Sequence, residues 1–200
     1  MKFNKKNIKK IINGFFGKGV YPAILSFWLD FPSRKILLHP KKLSQRLHLK
    51  ENHKVLEIGC GPGYFSPEIA KRLLKGHLFL LDIQKEMLNK AQKKLKKAGL
   101  SNISFVRGNA IYLPFVENYF DVVFLVTVLG EINSPQKSLK EILRVLKPSG
   151  ILSITEQIGD PDRIAFNYLK NITEDTGFVF FERYGKGKSY TANFIKPVKE

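Results

Sequence analysis

The chain has 200 residues, 44% apolar and 26% charged, enough for one domain with a core of its own. A lone cysteine, Cys60, excludes an internal disulfide, and no Cys/His cluster has metal-ligand spacing, so a cytoplasmic, metal-free protein is expected. The net charge of +17 is uneven: residues 1–54 hold 13 Lys/Arg against Asp30 and Glu51, a balance of +11, which leaves +6 for the rest.

Residues 1–53 read as a basic helical leader of the same domain. Ile8, Ile11, Ile12, Phe15 and Phe16 lie on one helical face, flanked by Lys5, Lys6, Lys9 and Lys10. Shorter helices are predicted over Pro22–Leu29 and Pro40–Leu47. The apolar stretch Ala23–Leu29 is far short of the roughly 20 residues of a membrane span, and no small-residue cleavage site follows it.

From residue 54 to 200 strands and helices alternate. Strands are predicted at Val55–Ile58, His77–Leu81, Ile103–Val106, Phe120–Val126 and Ile151–Thr155. Helices are predicted between them at Phe65–Leu74, Gln84–Ala98 and Pro135–Leu146. This rhythm implies parallel pairing through right-handed crossovers. A last helix, Arg163–Asp175, precedes two strands, Phe178–Tyr184 and Ser189–Ile195, joined by Gly185-Lys186-Gly187 as an antiparallel hairpin. The fold class expected is α/β, a doubly wound, seven-stranded, mostly parallel sheet with that hairpin at its C-terminus and a helical N-terminal leader.

The most informative stretch is Val55-Leu56-Glu57-Ile58-Gly59-Cys60-Gly61-Pro62-Gly63, a strand that breaks into glycines before a helix. Glycines there let a ligand approach bare backbone, in the crevice at the carboxyl ends of a parallel sheet. Asp82 closes the next strand, where a carboxylate can accept from both hydroxyls of a ribose. The spacing is G-x-G-x-G. Tyr64 stands where a dinucleotide site would have its third glycine, and Glu57 suits a cationic ligand better than a pyrophosphate.

Val55–Ser66 resembles the first motif of the class I S-adenosylmethionine-dependent methyltransferases, in particular the group that includes small-molecule and quinone methylating enzymes. The resemblance continues through Leu81-Asp82-Ile83, Gly108-Asn109-Ala110, Leu113-Pro114-Phe115, Phe120-Asp121-Val122-Val123 and Leu143–Gly150. It implies a Rossmann-like methyltransferase fold and S-adenosyl-L-methionine as cofactor. Gly59, Gly61 and Gly63 would pass against its methionine part, with Glu57 near the amino group. Asp82 would hold the ribose, Ile83 would lie against the adenine, Asn109 and Ala110 would meet its polar edge, and the backbone at Leu125 would contact the methionine end. Asn109 departs from the acid usual there.

Methyl transfer needs alignment of nucleophile, methyl and sulfur more than it needs a triad. No catalytic residue is therefore firm. Glu131, just past the fourth strand, is the candidate for a polar role near the methyl, with a helix-start carboxylate as the alternative. The run Val126-Thr127-Val128-Leu129-Gly130-Glu131 differs from the Asn/Asp-Pro-Pro-aromatic run of base-methylating enzymes. The acceptor expected is a small or amphiphilic molecule. Three readings of the leader stay open: a helix lying on an anionic membrane beside a lipid or quinone acceptor, a helix docked on its own domain, or an RNA-binding arm, for which it lacks arginine-rich runs.

Overall fold

A computed structural model describes residues 38–198. The predicted leader helices before residue 38 lie outside the described residues. Helix α1 (Pro40–Arg46) has the His39 side chain accepting from the Lys41 N–H at its start. Strands β1 (Lys54–Ile58), β2 (His77–Asp82), β3 (Ile103–Arg107), β4 (Phe120–Val126) and β5 (Leu146–Glu156) alternate with helices α2 (Ser66–Ala70), α3 (Lys85–Lys97) and α4 (Pro135–Val145). Helix α5 (Phe166–Glu174) then leads to β6 (Val179–Tyr184) and β7 (Tyr190–Ile195). The seven strands form one sheet in the order β3-β2-β1-β4-β5-β7-β6. Pairing is parallel from β3 to β5 and antiparallel in the β6–β7 hairpin, as the sequence predicted, and β7 also pairs antiparallel with β5.

The strand period of two sorts side chains into two cores. Val55, Val122 and Phe124 point to the face covered by α1, α2 and α3, where Leu43, Leu47, Ile69 and Leu95 join them. Leu56, Val123, Leu125, Leu152 and Ile154 point to the other face, against α4 and α5. The end of the leader thus shares the domain's core. Each buried Leu or Phe of these sets contributes about 1.5–3 kcal/mol.

Three element boundaries differ from the sequence reading by more than one residue. Helix α2 stops at Ala70 because Asn102 Nδ2 donates to the carbonyls of Ala70 (3.0 Å) and Leu73 (2.8 Å), leaving turns where more helix was predicted. Helix α5 starts at Phe166, since Ala165 is extended and the Ile164 carbonyl accepts from Tyr190 Oη at 2.7 Å. Strand β5 begins at Leu146, with its register to β4 broken between Phe120 and Val122 as Lys147–Gly150 bulge outward. Arg144 on α4 fixes the connection into β4. Its guanidinium donates to the carbonyls of Phe115 and Leu113, while Glu141 accepts from the Leu113 N–H.

Candidate functional site

Strand order reverses between β1 and β4, so the loops leaving these two strands diverge and open a crevice above their carboxyl ends. The glycine turn occupies it. Gly59, Gly61 and Gly63 have φ of 67°, 54° and 74°, the left-handed region that a side chain resists. A Cβ on Gly59 would come within 2.5 Å of Val128 Cγ2, so the β4 loop already closes one side of the turn. Gly59 N–H donates to the Leu81 carbonyl at 2.8 Å, and Gly61 N–H donates to Asp82 Oδ2 at 2.9 Å. Asp82 Oδ1 accepts from the Gln84 N–H at 2.9 Å. The carboxylate that ends β2 is thereby fixed beside the turn, 7% exposed. Burial pushes its pKa up, against the pull of these amides.

Glu57 lies below the turn, 3% exposed, and accepts from Ser66 Oγ at 2.6 Å. Burial raises its pKa to about 8, with Asp82 adding to the effect and Ser66 opposing it. A cationic ligand group beside it would reverse that shift. Ile83 is 45% exposed next to Asp82, an apolar side chain held out where a flat ring can lie on it. Asn109 is exposed, and its Oδ1 accepts from the Ile111 N–H at 3.1 Å, so one of its two acceptor positions serves its own turn. Ala110 follows, buried. Leu125 is buried one residue inside the end of β4, in register with Ile58 on one side and Ile154 on the other.

The glycines, Glu57, Asp82 and Ile83 are therefore brought together, with Asn109 and Ala110 on the loop after β3. The cradle offers backbone without side chains, a carboxylate fixed beside it, an exposed apolar side chain and a second buried acid. Cys60 lies within the turn but is buried, and its thiol is pushed well up by burial and by Glu57 and Asp82, which suits packing rather than nucleophilic attack.

A family model for the methyltransferase domain matches residues 49–175. The chain belongs to the S-adenosylmethionine-dependent methyltransferase family. A solved S-adenosylmethionine-dependent methyltransferase from Aquifex aeolicus is similar over 88% of this chain and 100% of its own, at 28% identity and a TM-score of 0.81. Among curated relatives, the ubiquinone/menaquinone biosynthesis C-methyltransferase UbiE of Vibrio vulnificus (strain YJ016) is 32% identical over 135 residues, which is 62% of this chain and 52% of the relative. The protein of the same name from Blochmanniella floridana is 40% identical over 116 residues, 57% of this chain and 46% of its own. The chain thus spans about half the length of the curated relatives it matches.

On the other side of the crevice the methyltransferase fold carries loops of its own. Glu131 ends a short 3-10 turn (Leu129–Glu131) after β4. Thr127, with φ of 54°, starts this loop and donates its N–H to the Thr155 carbonyl at 2.8 Å. Gly130 packs so closely on the loop after β5 that a Cβ would stand 1.9 Å from the Asp162 carbonyl oxygen. This contact brings Glu131 near a residue the sequence reading did not single out, Glu156, whose pKa Glu131 helps to raise. The available signal was an acid closing a strand at the sheet's carboxyl edge, as Asp82 closes β2.

The histidines are engaged elsewhere. His48 pairs with Glu182, His77 Nε2 meets Ser104 Oγ at 2.9 Å, and His53 Nδ1 accepts from the Lys50 N–H. Among the described residues no group of three or more His, Cys, Asp or Glu is arranged to hold a metal ion.

Proposed function

We propose that this chain transfers the methyl group of S-adenosyl-L-methionine to a small or amphiphilic acceptor. The observation that carries the reading is the bond from Gly61 N–H to Asp82 Oδ2 at the switch point, which fixes the side-chain-free turn and the carboxylate as one unit. When bound, the cofactor supplies an activated methyl on a sulfonium, an electrophile that needs no further activation. Asp82 would accept from the ribose hydroxyls with its remaining lone pairs, and Ile83 would pack on the adenine. Asn109 and Ala110 would meet the ring's polar edge. Glu57, once ionised, would balance the ammonium of the methionine part. The β4 loop, from Leu125 to Glu131, would line the path between methyl and acceptor and exclude water.

Calorimetry of the full chain with S-adenosylhomocysteine tests this. Saturable binding is expected, with Asp82→Ala weakening it about 100-fold, because the variant loses the sugar contact and strands the Gly61 N–H. Uptake of a nicotinamide or flavin in its place would overturn the assignment.

A quinone-type acceptor is the more specific form of the proposal, supported by the UbiE relatives. The basic amphipathic stretch around Ile8–Phe16 supports peripheral contact with an anionic membrane, where such an acceptor would be met. No helix among the described residues is long and apolar enough to cross a membrane.

A further inference from the structure

A cavity of about 110 Å³ opens at the carboxyl end of β5, lined from the α1 side of the sheet by Arg46 and Thr155 and closed by Leu38, Gln157 and Ser189. Arg46, in the last turn of α1, is the only cation among the described lining residues. Its Nη1 donates to Thr191 Oγ1 at 2.7 Å, and its guanidinium carbon stands 5.2 Å from the centre of the Tyr184 ring. Asn193 Nδ2 donates to the Arg46 carbonyl at 2.7 Å and pins this end of the helix. Among the described residues, no Asp or Glu forms an ion pair with Arg46. A guanidinium has five N–H donors, and the Thr191 bond uses one. Burial lowers the Arg46 pKa, as expected of a cation drawn partly out of water without a counter-charge.

The acids nearby are engaged or turned away. Glu182 pairs with His48 and accepts from Asn193 Nδ2 at 2.8 Å. Glu156 borders the cavity, but strand alternation turns its carboxyl to the α4/α5 face, where it meets the Ile164 N–H. Burial and Asp160 raise its pKa to about 8, so it is largely uncharged at neutral pH. Asp160 itself accepts from the Asp162 N–H at 3.0 Å. The turn that supplies Ser189 carries Lys186 and Lys188, both exposed, and no acid.

We infer that Arg46 receives an anionic group, a carboxylate or phosphate, of the small or amphiphilic methyl acceptor, with the cavity seating that group. The inference rests on the methyltransferase reading and names the chemistry of its acceptor. The position fits. Thr155 lines the cavity, and its carbonyl accepts at 2.8 Å from the Thr127 N–H that starts the β4 loop. In the strand order β5 lies two strands from β1, roughly 10 Å at the ordinary strand spacing. An acceptor anchored at Arg46 spans that distance to meet a methyl held at the glycine turn. The volume fits too. A cavity of roughly 150 Å³ takes a whole benzene ring, so this smaller one takes a compact charged group and leaves the reacting end outside. A guanidinium holds such a group by charge-assisted, two-pronged bonds.

The test uses the full chain saturated with S-adenosylhomocysteine and ligand-observed NMR with biphenyl-4-carboxylate, a rigid rod with the anion at one end. Its comparators are biphenyl-4-carboxamide, which is neutral, and 4-phenylbenzylamine, which is cationic. Wild type is expected to bind the carboxylate about tenfold or more tightly than either. Arg46→Met keeps the apolar stem and should abolish that preference with S-adenosylhomocysteine affinity unchanged. Ser189→Asp keeps an acceptor for the Ile158 N–H, adds a negative charge to the cavity, and should do the same without touching Arg46. With S-adenosylmethionine in place, the bound rod should show an interligand NOE to the S-methyl protons. A wild type without the preference, or a preference that survives either variant and so belongs to other cations, overturns the inference. Inorganic phosphate that displaces the rod at equal concentration marks a free-ion site and overturns it as well, as does absence of the NOE, which separates the anion from the transfer. Failure of wild type to take up S-adenosylhomocysteine refutes the methyltransferase reading itself.

Discussion

Glu57 and Asp82 show how one rim of the sheet places two carboxyl groups in different electrostatic settings. Asp82 accepts from the Gly61 and Gln84 backbone amides, which favour its ionised form, whereas Glu57 has one hydroxyl partner and full burial. The folded-state pKa of Glu57, about 8, lies above the 4.5 of an ordinary glutamate, so between these values the native state holds more proton than the unfolded chain. Its contribution to stability therefore declines as pH rises from 4.5 to 8. Glu57→Gln should remove this slope and raise the melting temperature of the ligand-free chain at pH 8 by about 3–6 °C, the shift that roughly 1.5 kcal/mol gives in a domain of this size. The same variant should bind S-adenosylmethionine more weakly, and wild type should release a proton on binding at pH 7. Calorimetry in two buffers of different ionisation enthalpy checks the proton: equal heats would contradict the role given to Glu57.

At the scale of elements, the loops after β4 and β5 behave as one piece, because Gly130 rests on the Asp162 backbone and Thr127 is bonded to Thr155. Gly130→Ala should cost about 1–3 kcal/mol, since the obstacle is a carbonyl and not a pliable side chain. A fall of several degrees in melting temperature, with S-adenosylhomocysteine affinity little changed, is expected in thermal unfolding. The strands, their direction and the glycine turn were legible in the sequence because each is a local pattern: apolar runs, helical periodicity and glycines before a helix. The place of Asp82 at the end of its strand beside the turn was legible from that pattern, whereas Ile83 entered only through the family resemblance. The short α2 and the late start of α5 were not legible, because their ends are set by Asn102 and Tyr190, residues distant in the chain.

Along the sequence, the excess positive charge and the glycine turn fall in different segments. Residues 1–54 carry +11 of the +17, while Glu57 and Asp82 beside the glycine turn are acids. Flotation with anionic liposomes should recover the full chain and lose it on removal of residues 1–19, with release in high salt. Equal failure of both to float removes the membrane contact from the proposal. The antiparallel return of β7 has a further effect. Because Glu156 lies opposite Tyr190 and Tyr184 opposite Thr191, the tip at Gly185–Ser189 emerges on the same rim as the ends of the parallel strands. In the strand order it stands beyond β5, away from Gly59 and Asp82 on the β1 and β2 side. Evolution or an engineer can accordingly redraw this small peninsula, lengthening it or altering its polarity, while the glycine turn stays as it is.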